Sequence, residues 1–140
     1  MTRFEVTVPD EWATLPAGTS VAWGSGDTAP ALCAVDVVAV ESCGPAALRR
    51  AAEAGPHPGL ERDTTDVALP AGPAVRSTAY RFAEELLTGE WRLPYAGEVR
   101  YAIALPGDRI GILHFETPSL HLFPGLAALF DTIARTARVA

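Results

Sequence analysis

The chain has 140 residues, 49% of them hydrophobic, a formal net charge of −6, and no lysine among its 11 basic residues. That length suits one domain, residues 1–140, able to bury a core without disulfides or metal, and no apolar run approaches the roughly 20 residues a bilayer span requires. Arg49, Arg50, Arg76, Arg81, Arg100 and Arg109 are interleaved with acids, so there is no basic stripe and nucleic acid is excluded as a partner.

At the start, Phe4, Val6 and Val8 alternate with Arg3, Glu5 and Thr7, the period of a strand, and Pro9 ends it. An acid and a strand pattern stand here where a secretory signal would carry a basic patch and an apolar stretch, which predicts a cytoplasmic protein. Residues 15–30 are rich in Pro, Gly, Ser and Thr and contain a short strand at Val21-Ala22-Trp23. Residues 31–40 are almost wholly apolar, which predicts a strand buried on both faces, interrupted by Asp36. A helix is predicted over 42–55, with Pro45 in an early position, an alanine-rich body, and Gly55-Pro56 to stop it. A polar strand over 61–69, at an edge or on a solvated face, turns at Pro70-Ala71-Gly72-Pro73 into a strand over 74–82. Residues 84–91 read as a helical turn or a wide loop.

The richest pattern lies between Glu98 and Ala137. Val99, Tyr101, Ile103 and Leu105 share one parity and Glu98, Arg100, Ala102 and Ala104 the other, a strand with one packed face. Pro106-Gly107-Asp108 meets the needs of a type II turn. Residues 109–115 return with apolar side chains on both sides, which predicts a central strand. Leu126, Leu129, Phe130, Ile133 and Ala137 then recur at helical spacing, with Asp131, Thr132 and Arg135 pointing away. The order of elements is strand, strand, helix, four strands, helix. This defines an α+β protein, an antiparallel sheet of about six strands with helices on its faces.

Three stretches carry a resemblance: the opening Phe4-Glu5-Val6-Thr7-Val8-Pro9-Asp10-Glu11-Trp12, the middle Leu69-Pro70-Ala71-Gly72-Pro73-Ala74-Val75-Arg76, and the closing hairpin through Leu105-Pro106 and His114-Phe115-Glu116-Thr117-Pro118. They resemble the pattern of PsbP-like proteins, a group that shares its sandwich with a small Ran-binding nuclear-transport factor and with bacterial lipoproteins of the LpqN type. The resemblance implies a PsbP-like α/β/α sandwich and a non-enzymatic role in binding other proteins or assisting assemblies. The sequence given starts without the lipoprotein signal and cysteine of the exported members, in keeping with the cytoplasmic expectation.

Candidate chemistry is sparse. His114 and Glu116, two apart on one strand, share a face, and His121 follows across a short loop, a set that could place two imidazoles and a carboxylate near one metal. A solvated or hydrogen-bonded face takes precedence over that reading, and neither metal nor cofactor is expected. Trp12, Trp23 and Trp91 fall in loops or strand ends, where they plug the core or, if exposed near one another, mark a binding patch. Asp36 should meet Arg76 or Arg81, or else lie on the open face of the sheet. Cys33, in the most apolar run, reads as a small buried hydrophobe and Cys43 as a junction residue, both free thiols, with a bridge between them the lesser alternative.

The expected function is that of a protein-binding or assembly-assisting module. One rival is a small enzyme or ligand carrier with a pocket near His114, Glu116 and His121. Another is a homodimer paired through a strand edge such as 61–69. A cleft that gathers the His and Glu residues would favour the first rival, and a flat apolar patch rimmed by Trp and Arg the binding module.

Overall fold

The computed structural model describes residues 4–7, 13–14, 20–23, 31–54, 62–82, 94–117 and 123–139, with backbone alone at 13–14, 20–23, 31–32, 81–82 and 94–96. In chain order the strands are β1 (Phe4–Glu5), β2 (Ala13–Thr14), β3 (Ser20–Trp23), β4 (Ala31–Ala39), β5 (Arg62–Leu69), β6 (Gly72–Phe82), β7 (Pro94–Leu105), β8 (Arg109–Thr117) and β9 (Arg138–Val139). Helix α1 (Pro45–Glu53) lies between β4 and β5, and α2 (Phe123–Arg135) between β8 and β9.

Seven strands form one antiparallel sheet in the order β2-β3-β4-β8-β7-β6-β5. The meander β5 to β8 supplies one half by simple hairpins, and β4 closes against β8 over eight paired positions, Leu32↔Glu116 to Ala39↔Arg109. To pass from β4 to β5 at the far edge, the chain must cross β8, β7 and β6, and α1 makes that crossing. Its buried residues Ala47, Leu48 and Ala52 pack on Val75, Ala102, Ile110 and Ile112. On the opposite face Phe123, Leu126, Phe130 and Ile133 of α2 pack on Val99, Tyr101, Ile103, Leu113 and Phe115. The two faces hold separate apolar clusters, and the architecture is the expected α+β sandwich.

The expected central hairpin is present, and its details go beyond the pattern. Gly107 has the positive φ of 78° that the Pro-Gly turn requires, and Asp108 follows at φ 52°, a left-handed conformation an Asp tolerates because its short polar side chain bonds locally. The Asp108 carbonyl accepts from Val40 N at 2.9 Å and its Oδ1 from Cys43 N at 3.4 Å, so the turn also anchors the segment leading into α1. The strand over 98–105 was expected to pack on one face; it is covered on both, because β7 sits between β6 and β8 with a helix on either side.

Two further expectations are corrected. The run 31–40 is not buried on both faces: Cys33 is fully buried, whereas Asp36, Val37 and Ala39 are exposed. The helices explain this, since α1 packs on β5 to β8 and α2 on β7 and β8, leaving much of β4 uncovered. The first strand does not join the main sheet. It pairs with β9, Phe4 opposite Val139 and Glu5 opposite Arg138, a ribbon the sequence pattern did not contain. Thr7 N donates to Thr136 Oγ1 at 2.8 Å beside it. Two glycines make room for aromatic rings: a Cβ at Gly111 would meet Phe4 at 2.7 Å, and one at Gly97 would meet Phe123 at 2.9 Å.

Candidate functional site: a charge cluster beside a pocket

On the α1 face, residues directly opposite one another across neighbouring strands form rows. Thr64, Ser77, Arg100, His114 and Ala34 make one row, and Arg62, Ala79, Glu98 and Glu116 the next. The apolar half of this face lies under α1; the polar rows begin where the helix ends. Arg100 marks the boundary, its Nε donating to the Ala51 carbonyl in the last turn of α1 at 2.9 Å. A last-turn carbonyl lacks an intrahelical partner, so this bond satisfies the helix end and fixes the guanidinium together.

Beneath lies a buried ion pair. Arg62 Nη2 donates to Glu98 Oε1 at 2.6 Å, with side chains 5% and 0% exposed. In the adjacent strand His114 Nε2 and Glu116 Oε1 are 2.7 Å apart, and His114 Nδ1 faces Arg100 Nη1 at 3.4 Å. Arginine only donates, so Nδ1 accepts and Nε2 carries the proton that Glu116 receives. This network engages both ring nitrogens. Burial, and after it the charge of Arg62, pull the Arg100 guanidinium below its ordinary range, while Glu98 and Asp36 act the other way.

Ligand atoms of Glu98, His114 and Glu116 all lie within 4.8 Å of one another, a spacing a divalent ion could bridge. The surroundings oppose one. A metal on Nε2 would require Nδ1 to carry the proton, and Nδ1 faces a donor; Arg62 already holds one oxygen of Glu98. The arrangement is that of a hydrogen-bonded cluster, in which the buried Arg62 Nη1 has no hydrogen-bond partner among the described residues.

Beside it opens a pocket of about 350 Å³ lined by Ala34, Asp36, Ala54, Arg100, Ile112 and His114. Asp36 lies on the open face, as one of its two expected placements had it. Its Oδ1 accepts from Val37 N at 2.8 Å, and it makes no ion pair among the described residues. Arg76 is engaged on the other face, with Asp131 at 3.1 Å and the Tyr101 hydroxyl at 3.3 Å. The Arg81 side chain lies outside the described residues.

Of the residues singled out from sequence, His114 and Glu116 are brought together. Trp12, Trp91 and His121 lie outside the described residues, as does the helical turn or loop expected over 84–91. Trp23 ends β3, its backbone opposite Ala31, and its side chain lies outside the description too. Sequence reasoning missed Arg62, Glu98 and Arg100. For Glu98 and Arg100 the available signal was a charge inside a packed-strand pattern, the same signal that exposed Asp36; Arg62, on the edge strand, offered none. Both thiols are free. Burial pushes the Cys33 thiol up to about 12, and Cys43 Sγ donates to the Arg109 carbonyl at 3.7 Å.

The fold and the site define an α+β sandwich with one helix per face and a buried charge cluster opening on a small pocket. No protein-family model matches the chain, and no curated protein sequence matches it. Among solved structures it is similar to LpqN, described as involved in cell envelope biogenesis of Mycobacterium tuberculosis, with 14% sequence identity, a TM-score of 0.70, and coverage of 100% of this chain and 84% of LpqN. At that identity the likeness is one of fold.

Proposed function

We propose that this chain is a non-catalytic binding module of PsbP-like kinship that serves the cell envelope and recognises its partner through the pocket beside Arg100 and His114. One observation carries the reading: Arg100, His114 and Glu116 beside the pocket are tied to one another. A general base needs a ring nitrogen free to take a proton, and both nitrogens of His114 are engaged. Neither thiol lines the pocket; Cys33 lies in the apolar cluster under α2, where burial raises its pKa. A fixed, charged floor with no free nucleophile suits recognition better than turnover. The fold shared with LpqN supports the connection to the envelope.

The test is affinity capture from the native cell with the wild-type chain and with Ala54→Trp, which fills the pocket from an exposed position after α1. A specific partner retained by the first and lost by the second is the expected result. Capture indifferent to Ala54→Trp, or turnover by the purified chain, would overturn the reading. Fractionation of tagged cells tests the compartment.

A second reading, self-association, rests on β5. This eight-residue strand stands at the edge of the sheet and pairs only with β6 among the described residues. Its unpaired backbone is the surface through which a second copy would add a strand. Light scattering at two concentrations separates monomer from dimer.

A further inference from the structure

We propose that the pocket between the end of α1 and the open part of β4 binds a small zwitterion of the α-amino acid class, Arg100 taking its carboxylate and Asp36 its ammonium. This rests on the binding reading above and names the chemistry of that same pocket.

The first argument is two opposite charges that share a pocket wall without meeting. Asp36 pairs in register with Ile112 and Arg100 with His114, so they stand two strands and two residues apart on one face. Strand spacing and rise put their Cα atoms about 12 Å apart. Arg100 is fixed by its bonds to Ala51 and His114 and is not free to swing toward Asp36. Those bonds use Nε and one hydrogen of Nη1. The second Nη1 hydrogen and Nη2 have no partner among the described residues, and together they form the fork that receives a carboxylate.

The second argument is charge balance. The charged side chains on the pocket wall are one of each sign, Arg100 and Asp36. A ligand bringing net charge would upset that balance, whereas a zwitterion brings both signs to groups already placed to receive them. The negative end of the α1 dipole lies at Ala54 on the pocket wall and adds to the attraction of Asp36 for an ammonium. Ala34, Ala54 and Ile112 provide apolar wall for a side chain, and about 350 Å³ is at the small end of ligand pockets, the size of an amino acid or dipeptide.

Calorimetric titration with three probes tests this: L-leucine, leucinamide, which keeps only the cation, and N-acetyl-leucine, which keeps only the anion. Leucine should bind, and each derivative about tenfold more weakly, the scale of one charged hydrogen-bonding group. Asp36→Asn, at an exposed position, should weaken leucine about tenfold and leave N-acetyl-leucine unchanged. Equal binding of leucine and leucinamide, no binding of any probe at millimolar concentration, or an Asp36→Asn chain that binds leucine as before would overturn the zwitterion. If the probes fail while partner capture still depends on Ala54, the ligand class falls and the binding reading stands. If capture ignores Ala54→Trp as well, both fall.

Discussion

One sheet carries two faces built on different rules. Against α2 lie Val99, Tyr101, Ile103, Leu113 and Phe115, an apolar layer bordered by the Arg76–Asp131 pair, in which Phe115 stacks on Phe130 with ring centroids 4.6 Å apart. Against α1 the apolar layer stops halfway, and Arg62, Glu98, Arg100, His114 and Glu116 continue it as a bonded charge cluster. The strands contribute to both faces by alternation, so the difference comes from what covers them. A 13-residue apolar helix lies on one side and a nine-residue helix on the other, too short to roof the whole sheet. Where coverage ends, polar side chains can be held rigidly and still reach a pocket. Apolar burial is therefore heavier on one face, and the pocket proposed for recognition opens on the other.

That contrast can be broken by substitution. The largest effect is expected from Phe130→Ala, a fully buried ring on the apolar face, with a loss of about 4 kcal/mol in urea unfolding; a loss under about 1 kcal/mol would deny that this face is the stabilising one. Arg62→Met comes next, at about 3 kcal/mol, because it removes a buried ion-pair partner from the Glu98 carboxylate, whose side chain is 0% exposed. Adding Glu98→Gln should cost less than a second independent loss, a coupling a double-mutant cycle reads directly. Additive losses would mean the cluster is not a unit.

Smaller is Gly97→Ala, whose new Cβ would meet the Phe123 ring at 2.9 Å; a loss of about 1–2 kcal/mol is expected, and Phe123→Leu in the same chain should return part of it. The smallest effect near neutrality belongs to Cys33. Its thiol pKa is raised from 9.0 to about 12 by burial. Both states are protonated below pH 9, so it gives no slope there; above it the unfolded chain ionises first, and stability falls as pH rises toward 12. Cys33→Ala should flatten that decline, measured by unfolding at stepped pH.

The apolar face was legible in sequence because its determinants are local. Val99 to Leu105 and Leu126 to Ile133 announce themselves by period, and the hairpin by Pro106-Gly107. His114 and Glu116 were legible as neighbours for the same reason, sharing a parity on one strand. Arg62 and Glu98 were not, since they meet only when β5, β6 and β7 fall into register across 36 residues of chain. Periodicity says which way a side chain points and nothing about what stands opposite. Asp36 sits between these cases: its oddity was visible, its placement over a pocket was not. The alternation at Phe4 and Val6 marked a strand but not its partner; the two-residue β9 was too short to leave a pattern, and the first strand therefore read as part of the main sheet.

The clasp between β1 and β9 has a consequence for engineering. Phe4 and Val139 are register partners, so a short peptide could splice these ends and fresh termini be cut at the Pro106-Gly107-Asp108 tip, giving a circular permutant. Such a rearranged chain would retain the ribbon while severing the hairpin from its turn. Comparing its refolding rate with that of the natural order would reveal which closure, the clasp or the hairpin, sets the pace of assembly.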